Sequence, residues 1–155
     1  MLPSARQHKK QETSFIAQSN QATRKQEKDE LNILKDVVVI DDEPAVGLVV
    51  SRILGRHKVR FFTQGQKALM AIKKQTPQLI ISDVMMPEMN GIELYQELKK
   101  IGLGQRMFLI TGGATTDSLN QFITDEKLTV LYKPFTPSEL RKQVMHVLTR
   151  PEDKK

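Results

Sequence analysis

Short apolar runs alternate along this chain with longer stretches whose apolar residues recur every three or four positions. Short runs rich in β-branched residues are typical of strands buried on both faces of a sheet, whereas the longer spacing is typical of helices. The runs predict five strands, at Val37–Ile40, Lys58–Phe62, Leu79–Ser82, Met107–Ile110 and Leu128–Tyr132.

The amphipathic stretches predict one helix after each strand. These helices lie at Pro44–Leu54, Gln66–Lys74, Asn90–Ile101, Thr115–Asp125 and Pro137–Leu148. In the first of them, helical spacing places Val46, Val49 and Val50 on the inward face and Leu48 on the opposite, exposed face. Strands that alternate with helices in this way predict a parallel sheet with right-handed crossovers, so the expected fold class is α/β, a three-layer α/β/α domain.

Polar side chains follow four of the five predicted strands. The first strand ends in Asp41 and Asp42, the third in Asp83, the fourth in Thr111 and the fifth in Lys133. Because the carboxyl ends of parallel strands lie at one edge of a sheet, these side chains should converge there. Each residue alone also has an ordinary structural interpretation, since the acids and the threonine are helix-capping types and the lysine suits a solvated loop.

Three carboxylates that converge repel one another and therefore favour a proton or a cation. Mg²⁺ prefers oxygen ligands and commonly uses only one or two carboxylates together with phosphate oxygens. A cation and a hydroxyl group around such a cluster suit a phosphoryl group in transit. Asp83 lies between the acid pair and the lysine, and a carboxylate can form an acyl phosphate, so Asp83 is the candidate nucleophile.

Four motifs, in this order, resemble those of the receiver domains of bacterial two-component response regulators. The resemblance covers about residues 36–149, and the long form of the second motif makes it specific. The motifs are Val-Ile-Asp41-Asp42-Glu43-Pro, Ile-Ser-Asp83-Val-Met-Met-Pro87-Glu-Met-Asn-Gly91, Ile-Thr111-Gly-Gly and Tyr-Lys133-Pro134-Phe135.

This resemblance implies a flavodoxin-like sheet with strand order 2-1-3-4-5. It also implies that Asp83 accepts a phosphoryl group from a histidine of a sensor kinase or of a histidine phosphotransfer protein. The implied cofactor is Mg²⁺, with Asp42 as a direct ligand, Asp41 acting through water, and Asp83 and the backbone carbonyl of Met85 completing the protein ligands.

The same resemblance implies the roles of the last two motifs. Lys133 would pair with the phosphoryl oxygens, Thr111 would hydrogen-bond to the phosphate, and the Lys133–Pro134 peptide bond would be cis. One position departs from the family pattern, because receivers usually carry an aromatic residue three positions before the lysine and this chain carries Val130. Tyr132 shares its side of the strand but lies too far along it to replace the missing ring.

Two other classes of protein are alternatives. A magnesium-dependent phosphatase with an aspartyl-phosphate intermediate, resembling the haloacid dehalogenase group, would carry its nucleophile on the first strand in an Asp-x-Asp pattern, whereas here the candidate Asp83 follows the third strand. A flavin-binding module is disfavoured because the turn after the first strand, Asp41-Asp42-Glu43, is acidic and would repel a phosphate. We therefore expect a signalling module whose only chemistry is phosphorylation and dephosphorylation of its own Asp83, and not an enzyme with a separate substrate.

Length and composition set the domain organisation. The 155 residues suit one receiver domain at 36–149, preceded by a flexible or partly helical basic tail at 1–35 and followed by a short charged tail at 150–155. The net charge of +6 is spread over all three segments, which disfavours DNA binding. The chain has no cysteine, no signal-peptide pattern and no membrane-length apolar run, so we expect a soluble cytoplasmic protein with a kinase and a downstream protein as partners.

Overall fold

The computed structural model describes residues 14–25 and 33–150. Residues 14–25 are helical, their side chains are exposed, and they belong to a unit separate from the domain that begins at Lys35. The remainder of the predicted tail at 1–35 lies outside the described residues, apart from residues 33–35, and so does the end of the chain after Arg150. The predicted division into tail, domain and charged end stays a prediction.

A five-stranded parallel sheet forms the centre of the domain, with strand order β2-β1-β3-β4-β5. This order confirms the predicted flavodoxin-like fold. The three central strands are buried almost throughout, because β-branched and other apolar residues cover both faces of the sheet. The strands are β1 (Asp36–Ile40), β2 (Lys58–Phe62), β3 (Leu79–Asp83), β4 (Met107–Thr111) and β5 (Val130–Tyr132).

Helices pack on both faces of this sheet and give the three predicted layers. Successive residues of β1 point to opposite faces, so Val38 and Ile40 pack with the second, third and fourth helices, while Val37 and Val39 pack with the first and fifth. No helix among the described residues has the length and apolar character to cross a membrane. The helices are α1 (Pro44–Leu54), α2 (Gly65–Lys74), α3 (Gly91–Lys100), α4 (Asp117–Asp125) and α5 (Pro137–Leu148), with a short 3₁₀ turn at Gly104–Arg106.

Helix α1 is rotated relative to its predicted orientation. Leu48 is exposed as predicted, but the prediction that Val49 faces inward is wrong, since 48% of this residue is exposed. The buried side of α1 instead runs through Gly47, Val50 and Leu54. A side chain at Gly47 would collide with the ring of Phe61, so the glycine brings the helix backbone close to β2.

Strand β5 begins two residues later than predicted. The backbone N–H of Leu128 donates to the carbonyl of Ile123 and so still belongs to the end of α4. Lys127 has a positive φ of 54°, which turns the chain out of that helix. Thr129 follows, and its carbonyl accepts a hydrogen bond from the N–H of Leu109. The apolar run at 128–132 therefore spans a helix end as well as a strand.

Candidate functional site

The side chains predicted to converge do meet at the carboxyl edge of the sheet. Asp41, Asp83 and Thr111 are buried at the ends of β1, β3 and β4, while Asp42 is exposed beside them. Oxygens of the three carboxylates lie within 4.8 Å of one another. The parallel arrangement of the strands thus builds an acidic cluster, Asp41, Asp42 and Asp83, at one edge.

Lys133, which follows β5, reaches across the sheet edge to this acidic cluster. Its Nζ donates a hydrogen bond to Oδ2 of Asp41 at 2.8 Å and lies 3.6 Å from Oδ2 of Asp83. Burial by itself would lower the pKa of Lys133, but the hydrogen bond to Asp41 and the charges of both aspartates outweigh it and raise that pKa. The lysine is therefore a fixed positive charge at neutral pH. Its peptide bond to Pro134 is cis, as predicted.

Helix capping accounts for only part of the polar contacts at these strand ends. Oδ1 of Asp41 accepts a hydrogen bond from the N–H of Glu43 at 2.9 Å, and the N-cap of α1, Glu43, makes no side-chain capping bond. Helix α4 is capped by the hydroxyl of Thr116, which accepts from Leu119, and so Thr111 is not its cap. The ordinary capping interpretation is therefore wrong for Thr111, whereas Asp41 both binds the amide at the start of α1 and pairs with Lys133.

The surroundings of Asp83 disfavour its ionised form. Burial raises the pKa of Asp83 above its ordinary value, and the charge of Asp41 raises it further. Lys133 and the backbone N–H of Met85 lower this pKa without cancelling the increase. One lysine therefore does not neutralise the acidic cluster.

A hard divalent cation fits this donor set, because it would supply the missing positive charge and binds carboxylate oxygens. Asp41, Asp42 and Asp83 are the described residues whose oxygens lie close enough to hold it. The carbonyl of Met85 as a further ligand, and the division into direct and water-mediated ligands, stay predictions.

Asp83→Asn should raise the thermal stability of the domain when no divalent cation is present. The folded state raises the pKa of Asp83 above 3.8, so its ionisation costs folding free energy, and this cost is absent at a pH below both pKa values. The cost builds up as the pH rises from 3.8 through the raised pKa. At neutral pH we therefore expect a higher melting temperature for the variant than for the wild type, measured by calorimetry in EDTA. A lower melting temperature for the variant would contradict this.

Gly91 holds the loop that follows Asp83, a role that the sequence pattern did not reveal. Its N–H donates to the carbonyl of Val84, whose own N–H donates to Ile110 on β4. A side chain at Gly91 would collide with the backbone carbonyl of Asp83. The Asn-Gly pair indicated a turn or helix start, but nothing in the sequence indicated this close approach.

Gly91→Ala should therefore destabilise the domain by about 2 kcal/mol, the usual cost of forcing extra atoms into a packed site. Gly113→Ala is the matched control, because a Cβ there meets nothing within 4 Å. Its effect should stay within about 0.5 kcal/mol. Urea denaturation of both variants measures the difference, and equal stabilities would exclude the steric role of Gly91.

The strand before Lys133 carries Val130 at the position where the family pattern has an aromatic residue. Val130 is partly buried and packs against the apolar residues on the α2, α3 and α4 side of the sheet. Tyr132 is 56% exposed. This chain therefore has no aromatic side chain at position 130.

The fold and this arrangement of side chains define a flavodoxin-like domain with an acidic site at the carboxyl edge of its sheet. The family model described as response regulator receiver domain matches residues 37–145. The chain belongs to this family, whose members are the receivers of two-component systems.

Individual relatives agree with this assignment. Response regulator Rre1 of Synechocystis is 32% identical over 120 residues, 74% of this chain and 52% of that protein. Sporulation initiation phosphotransferase F of Bacillus subtilis is 25% identical over 114 residues, 72% of this chain and 92% of that protein. The solved structure of chemotaxis protein CheY4 of Vibrio cholerae has a TM-score of 0.65 and 28% identity, covering 75% of this chain and 100% of that one. The chain spans about half the length of Rre1 and of the relatives named as transcriptional regulators.

Proposed function

We propose that this chain is a phosphoacceptor module of a two-component phosphorelay, in which Asp83 receives the phosphoryl group. A single observation carries the proposal. The buried carboxylate of Asp83 ends the central strand β3, 3.6 Å from the ammonium group of Lys133 and close to the carboxylates of Asp41 and Asp42. A nucleophilic carboxylate, a fixed cation and a cluster of metal-binding oxygens are the groups that phosphoryl transfer to a protein requires.

The proposed step moves one phosphoryl group. An oxygen of Asp83 attacks the phosphorus of a phosphohistidine, a P–O bond forms, and the P–N bond breaks with its electron pair returning to the imidazole nitrogen. Lys133 neutralises part of the charge on the phosphoryl oxygens. Thr111, at the end of the adjacent strand β4, donates a hydrogen bond from its hydroxyl group to one of these oxygens. Attack by water on the same phosphorus later releases phosphate and restores the carboxylate.

Mg²⁺ is the proposed cofactor, with Asp41, Asp42, Asp83 and the carbonyl of Met85 as its protein ligands. When bound, it would offset the negative charge that the phosphoryl oxygens bring to the acidic cluster. The raised pKa of Asp83, caused first by burial and then by the charge of Asp41, is consistent with this role, because a bound cation would stabilise the ionised carboxylate.

Incubation with acetyl phosphate and Mg²⁺ tests the proposal. We expect one phosphoryl group per chain, detected by intact mass, which hydroxylamine removes because it is an acyl phosphate. EDTA should abolish the labelling. Steady hydrolysis of small phosphate esters without an accumulating adduct would instead support the alternative, a magnesium-dependent aspartyl-phosphate phosphatase.

The proposed donor is a sensor histidine kinase or a histidine phosphotransfer protein, and the output is phosphorylation-dependent binding of a downstream protein. The name of the Bacillus subtilis relative, sporulation initiation phosphotransferase F, supports this proposal. Leu48 is the candidate contact for the protein that donates the phosphoryl group. It is 54% exposed on α1, the helix that begins two residues after Asp42.

Leu48→Asp should slow phosphotransfer from a cognate phosphohistidine protein about tenfold, because it places a charge in an apolar contact. Labelling by acetyl phosphate should be unchanged, since this small donor needs no protein contact. Met70→Asp on α2 is the matched control, because Met70 is also 54% exposed. Rapid-quench transfer assays measure both variants, and an equal loss with both donors would indicate misfolding and not a lost contact.

A further inference from the structure

The main chain enters the domain at Lys35, the residue before β1. The carbonyl of Lys35 accepts a hydrogen bond from the N–H of Lys58, the first residue of β2, at 2.9 Å. The N–H of Lys35 donates to Nδ1 of His57, the residue before β2, at 3.1 Å. A histidine side chain therefore satisfies one of the two main-chain groups of Lys35 at this entry point.

The turn between α1 and β2 holds the imidazole of His57 in position. Gly55 has a positive φ of 51°, which ends α1 and directs the chain toward β2. The N–H of His57 then donates to the carbonyl of Leu54 at 3.2 Å, and the residue is partly buried. Because the N–H of Lys35 is a donor, Nδ1 has to be the ring nitrogen without a hydrogen. The contact with Lys35 thus requires the neutral imidazole, with its hydrogen on Nε2.

Protonation of His57 is incompatible with this hydrogen bond. The imidazolium ion carries a hydrogen on both nitrogens, so Nδ1 becomes a donor that faces the N–H of Lys35. An N–H that loses its acceptor in a partly buried position costs free energy comparable to a lost hydrogen bond. Histidine is also the side chain whose ordinary pKa places this change of charge between about pH 5 and pH 8. The hydrogen bond at the entry to β1 therefore exists in only one of two accessible protonation states.

The charges around His57 favour its neutral form. Burial lowers the pKa of His57, and the positive charge of Lys35 lowers it further. Asp36 is the acid next to Lys35, and both of its carboxylate oxygens accept hydrogen bonds from Arg60 at 3.0 Å. The described residues thus place a positive charge, and not a negative one, against the ring. The other charged residues of the elements that meet here are Arg52 on α1, Arg56 in the turn and Lys58 on β2.

We propose that the hydrogen bond between His57 and Lys35 is a pH-sensitive contact, which holds the entry to β1 when His57 is neutral and opens when His57 is protonated. The proton comes from solvent and adds to Nδ1, and no covalent bond between heavy atoms changes. Ile33 and Leu34, directly before Lys35, are 55% and 64% exposed, so burial of their side chains does not hold this segment in place. Opening of the contact therefore frees the main chain before β1, independently of the proposed phosphorylation.

Titration of ¹⁵N-labelled protein from about pH 8 to about pH 5 tests this proposal. We expect the hydrogen-exchange protection factor of the Lys35 amide to fall about tenfold, the loss expected from one hydrogen bond. The midpoint should equal that of the His57 imidazole resonances and lie below the ordinary value of 6.5. The amide of Gln78, which donates to the carbonyl of Asp36, is the internal control and should keep its protection. Protection of Lys35 that does not follow the titration of His57 would overturn the proposal.

Two substitutions of His57 separate the hydrogen bond from the presence of a ring. His57→Asn places an acceptor oxygen at the position of Nδ1 but does not titrate, so Lys35 should stay protected at every pH. His57→Phe keeps a ring without an acceptor, so Lys35 should show the low protection of the acid form throughout. His146→Asn is the matched control, because His146 is an exposed histidine on α5, and it should show the wild-type transition. A wild-type transition in His57→Asn, or full protection in His57→Phe, would overturn the proposal.

Urea denaturation measures the same contact through stability. The folded state lowers the pKa of His57 below 6.5, so the unfolded chain takes up this proton first as the pH falls. The stability that the neutral imidazole contributes is therefore present above 6.5 and is lost as the pH falls through the lowered pKa. The wild type should lose more stability than His57→Asn between about pH 7.5 and about pH 5. An equal loss in the two proteins would contradict the pH-sensitive contact.

Discussion

Asp83→Asn is expected to abolish labelling by acetyl phosphate, while the wild-type domain forms an adduct that hydroxylamine removes. The amide has nearly the shape of the carboxylate but lacks the negative oxygen that attacks phosphorus. Misfolding does not explain such a loss, because the substitution removes a buried charge from an acidic cluster and should raise the melting temperature in EDTA.

Asp117→Asn is the matched control for this experiment. Asp117 is exposed in the first turn of α4, so the same chemical change there leaves the acidic cluster intact. Intact mass measured over time with both variants and the wild type gives the comparison. Equal labelling of Asp83→Asn and the wild type would show that another residue accepts the phosphoryl group, and the proposed function would then fail.

The candidate site could be predicted from sequence because its residues end strands. Once the alternation of strands and helices indicates a parallel sheet, Asp41, Asp83, Thr111 and Lys133 must lie at one edge, however far apart they are in the chain. The strand order and the cis peptide bond before Pro134 followed from the family resemblance. Local patterns and the resemblance together therefore predicted both the fold and the composition of the site.

Contacts that depend on how elements rotate and pack could not be predicted in this way. The pairing of Lys133 with Asp41 joins residues 92 positions apart, and it depends on a side-chain conformation that no local pattern specifies. The rotation of α1 depends on the close approach of Gly47 to Phe61.

The end of β4 connects the proposed phosphorylation site to the chain after β5. Thr111 is buried there, and its carbonyl accepts a hydrogen bond from the N–H of Lys133 at 2.8 Å. Movement of Thr111 toward a phosphoryl group would therefore be transmitted to the main chain after β5 without any aromatic side chain. Val130 packs against the core on one face of the sheet, and Tyr132 is exposed.

Lys133→Met should change two properties of the acidic cluster in opposite directions. Labelling by acetyl phosphate should slow about 100-fold, because the variant loses a preorganised positive charge beside the phosphoryl oxygens. The affinity for Mg²⁺ should rise, because the ammonium group that now lies 2.8 Å from Asp41 and 3.6 Å from Asp83 repels a second cation. Quench-flow labelling at saturating Mg²⁺ and a calorimetric titration of Mg²⁺ measure the two effects separately.

Lys133→Met should also change the thermal stability of the domain. Asp41 is almost fully buried, and one of its oxygens would lose its hydrogen-bond donor, so the variant should melt lower than the wild type in EDTA. Added Mg²⁺ should restore more stability to Lys133→Met than to the wild type, since the metal can take over the charge of the missing lysine. Lys67→Met, an exposed lysine on α2, is the matched control and should leave all three measurements unchanged. Weaker Mg²⁺ binding by Lys133→Met would contradict the electrostatic role of Lys133 and would show that it acts by positioning the aspartates.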